Sequence, residues 1–382
     1  MKFLGISLFF LIVFSFSIYS QLIIDYNCTN ISVIPQSAIE NAKEQLHIAY
    51  GHTSHGSQVT TGMNGLVDFA NSGGRGLSLP NDIFEWNNGG TDGALDLHDY
   101  AMSGDVGYYP DWYNNTISYL ESPENSNVNV IMWSWCGQVD SKYDDGVLYE
   151  EFLEPMNILE AAYPDVIFVY MTGHLEYSAR ESVNAANDSI RSYCLNNNKV
   201  LFDFADIESY GPDGTCYKDN ADDACNYYNE SGEVIGNWAV EYQNSHEEGV
   251  DWYECESAHS EPFNANLKAY AAWWMFASLA GWNYSNPVSI QEDYQSKIII
   301  NGNLYPNPAI NQTRLELDTQ ENRILSVDLI SVNGEKIKCN LLPVISSNKL
   351  VYEIDTHELS SGIYFILVKT DLSSQSFKLM VI

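Results

Sequence analysis

The densest chemistry in the sequence lies in YGHTSHGS, which holds His52, Ser54, His55 and Ser57 within six positions. A serine hydroxyl is a weak nucleophile until a neighbouring base takes its proton. The run ECESAHSEP, residues 254–262, offers that base, because His259 follows Glu256 by three positions. A carboxylate at this spacing can orient an imidazole, and the imidazole can then activate a serine. Ser54 is therefore read as the nucleophile, His259 as the base and Glu256 as the orienting carboxylate. Ser57 is the alternative nucleophile. The competing reading makes Glu256 and His259 a solvated loop pair.

Elements that could position these groups are legible in the apolar periodicity. Residues 46–50 (LHIAY) form an apolar run that stops at Gly51, so a buried strand is expected to deliver Ser54 to the edge of a sheet. Three further runs, 127–133, 165–171 and 199–204, read as strands. Each ends in polar residues: Ser134, Gly137, Gln138 and Asp140; Gly173, His174 and Glu176; Asp203 and Asp206. Helical patterns at 37–45, 62–70, 154–162, 182–196 and 264–280 alternate with the strands. Strand–helix alternation argues for a mostly parallel sheet covered on both faces, with ligands at the carboxyl ends of its strands. Residues 73–113 show no regular pattern and are read as a long loop forming a substrate wall, with Trp86, Tyr108, Tyr109 and Trp112 as wall or packing residues.

The amino end, MKFLGISLFFLIVFSFSIYSQ, reads as a signal peptide over residues 1–20, and no later stretch is apolar enough to span a membrane. The chain carries 51 acidic against 17 basic residues, a net charge of −34, most of it before residue 300. Such a surface repels nucleic acid and anionic membranes. With 7 cysteines in an exported chain, disulfides are expected: Cys216 with Cys225 first, and Cys28 with Cys255 as another candidate pair. Cys136 and Cys194 sit in apolar contexts and are read as buried thiols.

Two metal readings are weaker. His52, His55, His174 and His259 with Asp140 or Asp203 are competent zinc ligands, but no recognised ligand spacing joins them. Asp213, Asp219, Asn220, Asp222 and Asp223 crowd one loop and could hold Ca²⁺, although they match no EF-hand and a solvated acidic loop is preferred. No cofactor is expected otherwise.

After a linker, 284–303, short alternating segments separated by turns read as a small all-β sandwich, 304–382. The segments 314–317, 325–331, 335–339, 350–354, 362–369 and 376–381 are its strands.

Taken together, Tyr50-Gly-His-Thr-Ser54-His-Gly56 and Glu256-Ser-Ala-His259 resemble the SGNH (GDSL-like) hydrolases, with Glu in place of the usual Asp. The resemblance covers roughly residues 46–282 and implies a three-layer, flavodoxin-like α/β domain over 21–283. It also implies an esterase whose serine is Ser54. By the same resemblance Gly137 and Gln138 stand where the second oxyanion-hole block lies. Thr172-Gly173-His174 occupies the third-block position, where the family places an Asn, so either His174 replaces that donor or the backbone N–H groups near Ser54 and Gly137 suffice. His52 and His55 become neighbours that shape the site. The segments LYPNPA (304–309), VNGEK (332–336) and LSSGIYF (359–365) resemble type IX secretion sorting domains. That resemblance implies the type IX machinery as partner and a secreted or surface location. A carbohydrate ester, such as an acetylated polysaccharide, is the expected substrate. The rivals are a polysaccharide lyase or glycosidase with no serine nucleophile, and a catalytically inactive glycan-binding protein.

Overall fold

The computed structural model describes residues 21–284, 302–318, 324–331, 336–337, 343–346, 349–357, 359–370 and 374–382. The expected signal peptide, most of the linker and the VNGEK turn at 332–335 lie outside them. The chain divides into two compact units, Met1–Tyr284 and Ser285–Ile382.

The first unit is built on a seven-stranded parallel sheet. In chain order its strands are β1 (Leu22–Ile24), β2 (His47–Gly51), β3 (Trp86–Asn87), β4 (Leu95–His98), β5 (Val130–Trp133), β6 (Ile167–Met171) and β7 (Val200–Phe202). Across the sheet the order is β1-β7-β6-β5-β2-β4-β3. Every residue of β5 and β6 is buried, as expected of central strands that helices cover on both faces.

Alternate residues of these strands feed two separate cores. Ile48, Tyr50, Val130, Met132, Val169 and Met171 pack with the helices α1 (Gln36–Gln45), α2 (Ser57–Asn71) and Pro262–Leu279. Ala49, Ile131, Trp133, Phe168 and Tyr170 pack with α3 (Asp111–Leu120), α4 (Val139–Asp144), α5 (Glu154–Ala162) and α6 (Arg180–Asn196). The result is three layers, set by the two-residue period of each strand. After β7 come a short α7 (Phe204–Ile207), a hairpin of Asn226–Tyr228 with Val234–Asn237, and α8 (Trp238–Ser245). The closing helix, α9 (Pro262–Leu279), is mostly apolar, with Asn264, Asn266 and Lys268 as its buried polar residues, and it is buried along nearly its whole length, consistent with a helix enclosed by its own domain. It crosses α2 closely: a Cβ on Gly62 would meet the Ala265 carbonyl oxygen at 2.2 Å.

Between β2 and β5 the direction of strand addition reverses. From β2 the sheet grows to β4 and β3 on one side, and β5, β6, β7 and β1 continue on the other. Open α/β sheets part their loops at such a switch point, leaving a crevice at the strand carboxyl ends.

Several expectations need correction. The stretch 73–113 is not a structureless loop, since it contributes β3, β4 and the start of α3. Trp112 is 1% exposed and belongs to the core, whereas Tyr108 and Tyr109 are exposed. β1 was hidden because it is only three residues long and joins the sheet edge beside β7. No disulfide forms among the six described cysteines. Cys216 is exposed, while Cys225 is fully buried with its sulfur 3.3 Å from Ser260 Oγ. Cys28 turns towards the Ile23 carbonyl and Cys255 towards Pro262 O, so neither faces the other. Cys136 is not a buried apolar thiol either: Trp135 takes the core position and the chain turns Cys136 to the sheet edge.

In the second unit the described strands form two four-stranded antiparallel sheets. One joins Gly302–Tyr305, Gln312–Asp318, Lys349–Asp355 and Pro343–Ser346, and the other joins Lys336–Ile337, Ile324–Ser331, Gly362–Thr370 and Ser374–Val381. Leu315, Leu317, Leu329, Ile354, Ile366 and Leu379 form its core, the sandwich that the alternation implied.

Candidate active site

Each strand around the switch point delivers part of one polar cluster. The turn after β2 carries Ser54 and His55, the turn after β5 carries Cys136, and the turn after β6 carries His174. Asp223 and His259 arrive on the long excursions that follow β7.

The β2 turn is tight for a steric reason. A Cβ on Gly56 would lie 2.1 Å from Ser134 Oγ and 2.4 Å from His52 Cβ, so only glycine lets the turn press against the end of β5. Ser57 opens α2 and its hydroxyl donates to the Ser54 carbonyl at 2.6 Å. It therefore serves the first turn of the helix, and Ser54 is the serine that faces a base.

Ser54 Oγ lies 3.0 Å from His259 Nε2 and 3.2 Å from Cys136 Sγ. His259 itself has φ of +63°, a conformation uncommon for a residue with a Cβ. Its neighbours hold it there: Gln58 Nε2 donates to Ala258 O at 2.6 Å, and Asn264 Nδ2 donates to Ser260 Oγ at 2.8 Å.

Glu256 does not join this arrangement. It is exposed and makes no hydrogen bond or ion pair with His259. The carboxylate within the cluster is Asp223, whose Oδ2 is 2.9 Å from His55 Nε2. Burial works to raise the Asp223 carboxyl, but the hydrogen bond from His55 and the nearby His174 outweigh it and the net shift is downward. His55 is shifted down to about 4, chiefly by burial, with the adjacent His174 and His259 adding to the effect. A neutral His55 must donate from Nε2 to Asp223, which leaves Nδ1 as an acceptor, and Cys136 Sγ sits 3.2 Å from it.

The rings of His174, His55 and His259 form a stack, with centroid separations of 3.8 Å and 4.4 Å and interplanar angles of 4° and 15°. His174 Nδ1 donates to Leu175 O at 2.8 Å, fixing its tautomer. A ring nitrogen of His174, one of His55 and an Asp223 oxygen lie within 4.8 Å of one another, a group that could hold a metal ion. Ring planes only 4° apart direct their in-plane lone pairs side by side rather than to one point, so such an ion would need these rings to turn.

The other expected residues have separate duties. His52 is buried, with Nε2 2.7 Å from Asp99 Oδ1 and Nδ1 donating to Thr53 O. The Gly173 N–H is taken by Asn187 Oδ1 at 2.8 Å and is no longer available as an oxyanion donor. Asn187 was invisible to motif reading because it comes from mid-α6. Gly137 and Gln138 both have positive φ, of +82° and +63°. Among the described residues, the backbone N–H groups of Ser54 and Gly137 donate to no protein acceptor.

Asp203 is held by Arg191 through two hydrogen bonds of 2.6 Å and 2.8 Å, and Asp140 lies in the first turn of α4. The acidic loop is divided among separate partners: Asp213 caps Thr215, Asp219 accepts from Asn184, Asp222 accepts from Asn226 and Tyr228, and Asp223 goes to His55. Beneath the site, Lys268 Nζ lies 2.6 Å from Glu208 Oε2, both essentially inaccessible, and also donates to Gln58. Glu208 in turn accepts from the Leu175 N–H, so one buried ion pair braces the turns that carry His174 and His259. Beside the cluster, beyond Asp99, opens a cleft of about 860 Å³ lined by Asp96, His98, Tyr100 and Tyr119 among others.

Comparison with known proteins bears mainly on the second unit. Residues 303–382 match the secretion system C-terminal sorting domain. The sorting domain marks the chain for export by the type IX system to the cell surface or beyond. Among the described residues no helix is long and apolar enough to cross a membrane. No curated protein matches the chain.

Likenesses among solved structures are weak. A Bacteroides fragilis protein named as an acylhydrolase shares 11% identity over 49% of this chain and 83% of its own, at a TM-score of 0.26. An endo-beta-1,4-mannanase from Thermotoga petrophila shares 13% over 67% of this chain and 48% of its own, at 0.17. An FMN-binding beta-glucuronidase from Facaelibacterium prausnitzii shares 10% over 69% and 33%, at 0.20. Similarity at this level carries no argument about activity.

Proposed function

We propose that the chain is an exported serine hydrolase that cleaves an acyl ester, with Ser54 as nucleophile and His259 as general base. The observation that carries this reading is the 3.0 Å approach of Ser54 Oγ to His259 Nε2 at the sheet's switch point. In the proposed reaction His259 takes the Ser54 proton as Oγ attacks the ester carbonyl, and returns it to the departing alcohol. Water then repeats the sequence on the acyl-serine. The unengaged N–H groups of Ser54 and Gly137 are the proposed oxyanion donors, in place of a third-block Asn.

Glu256 has no part in this proposal, because it does not reach His259. The amino-terminal signal peptide and a boundary near residue 284 complete the picture of an exported catalytic domain with a sorting tail. An acylated carbohydrate is the proposed substrate: export supports an extracellular polymer, and exposed Tyr100 beside the Asp-lined cleft offers a ring on which a sugar could rest.

The test is covalent trapping of the full chain with a serine-directed aryl phosphonate, followed by peptide mass mapping. Adduct on the peptide bearing Ser54, with loss of aryl acetate turnover, supports the proposal. Full turnover in protein with no adduct would remove Ser54 from the mechanism.

A further inference from the structure

Cys136 is the one described thiol placed against an imidazole. Burial pushes Cys28 and Cys255 up to about 12, and Cys194 and Cys225 are raised by burial as well. Cys136 is instead half-buried at the carboxyl edge of β5, with Sγ 3.2 Å from His55 Nδ1. The far nitrogen of the same ring is bonded to Asp223. A thiol, an imidazole accepting through one nitrogen, and a carboxylate fixing the other make up the complete set needed to activate a nucleophile. Among the described residues, the Ser54–His259 pair has no such carboxylate.

We infer that Cys136, His55 and Asp223 form a second acyl-transfer relay at the same sheet edge, in which Cys136 Sγ carries the acyl group as a thioester. This rests on the reading of the Ser54 edge as an acyl-transfer site. His55 Nδ1 takes the Cys136 proton while sulfur bonds to the ester carbonyl carbon, and the tetrahedral intermediate expels the alkoxide, which takes the proton back from Nδ1. Water, losing a proton to the same nitrogen, then attacks the thioester. The carbon–sulfur bond breaks, the acid leaves and the thiol is restored. No oxidant or further reactant is required.

Geometry also explains why a thiol and a hydroxyl share one place. Cys136 Sγ and Ser54 Oγ are 3.2 Å apart, so a carbonyl carbon held in front of both, about 3 Å from each, can be reached from either atom. Each has its own base, and the two bases are stacked rings 4.4 Å apart. A proton held on one ring disfavours a proton on the other, so only one relay at a time can hold a protonated base.

The experiment uses the full-length chain and p-nitrophenyl acetate, quenched with acid during turnover and mapped by peptide mass. Neutral hydroxylamine separates the linkages, because it cleaves thioesters and spares ordinary esters. Acetyl on the Cys136 peptide, lost on hydroxylamine treatment, supports the inference. Acetyl on the Ser54 peptide alone overturns it and leaves the proposed function standing. Turnover that leaves acetyl on neither peptide, even in Ser54→Ala, counts against both. Asp223→Asn provides a check that does not depend on acyl accumulation. It should slow iodoacetamide labelling of Cys136 by roughly 10-fold or more while phosphonate labelling of Ser54 changes little. Equal loss of both labels would indicate that Asp223 only holds the fold and would overturn its role in the relay. Circular dichroism of each variant identifies any that fails to fold; where Asp223→Asn does, Cys136→Ala carries the test, and hydroxylamine-labile acetyl persisting in it would overturn the inference.

Discussion

Ser54 Oγ and His259 Nε2 stand 3.0 Å apart although 205 positions separate the two residues in the chain. The contact exists because β2 ends beside the switch point and because α2 and α9 pack closely, at Gly62 and Ala265, under the turns that carry both groups. It sets the first expectation for activity. Ser54→Ala should lower aryl acetate turnover to the part that Cys136 carries, and Ser54→Ala with Cys136→Ala should lower it by roughly 10³-fold or more, whereas Ser57→Ala should keep most of it, since Ser57 bonds to a backbone carbonyl. Steady-state kinetics of the two variants beside wild type decide the matter, and the reverse ranking would assign the nucleophile to Ser57.

Replacing Glu256 should have little consequence. Its exposed carboxylate touches neither His259 nor Ser54, so Glu256→Gln should stay within about threefold of wild type in kcat/KM, as expected for a solvated surface charge. A loss of two orders of magnitude would mean that Glu256 closes onto His259 during turnover.

Stability should respond to acid through two buried groups of opposite sign. His55 titrates near 4 in the folded chain against an ordinary value of 6.5, so the unfolded chain binds more protons between those limits and stability falls as pH drops through that window. Asp206 is raised to about 6 by burial and by Asp203, from 3.8. There the folded chain binds the extra proton, and stability falls as pH rises from about 4 to 6. Asp206→Asn should therefore be more stable than wild type at pH 7 and lose more stability on acidification to pH 4.5. Urea denaturation at both pH values checks the sign, and an unchanged pH slope in Asp206→Asn would refute it.

The Lys268–Glu208 pair supplies a third kind of test. Lys268→Met leaves Glu208 buried without its cation and should destabilise the first unit by about 3–5 kcal/mol. Replacing both residues, Lys268→Met with Glu208→Leu, should recover part of that loss in chemical denaturation. A single variant as stable as wild type would show that the pair contributes nothing.

Chelation tests the ring stack. Because the His174 and His55 planes are nearly parallel and Asp223 is bonded to His55, overnight EDTA treatment should leave ester turnover unchanged. Activity lost on chelation and restored by Zn²⁺, together with stoichiometric metal by elemental analysis, would instead assign these three residues to a metal centre.

Much of this molecule is written in local pattern. Apolar runs ending in small polar residues marked β2, β5, β6 and β7, because strands buried on both faces must be apolar throughout. The helix at 154–162 and the alternation of the sorting domain are local in the same sense, and Ser54 and His259 stood out by residue type and position. Other features depend on pairings between distant segments. Glu256 was a better orienting candidate than Asp223 by spacing alone, yet the loop turns it to solvent while a hairpin brings Asp223 to His55. Cys136 read as a core thiol because its flanking tryptophans are apolar, and only the end of β5 at the switch point turns it towards Ser54. The cysteine pairings failed for the same reason, since disulfides depend on where side chains point. Residue type and periodicity thus determined which groups could react, and the order of strands in the sheet decided which of them meet.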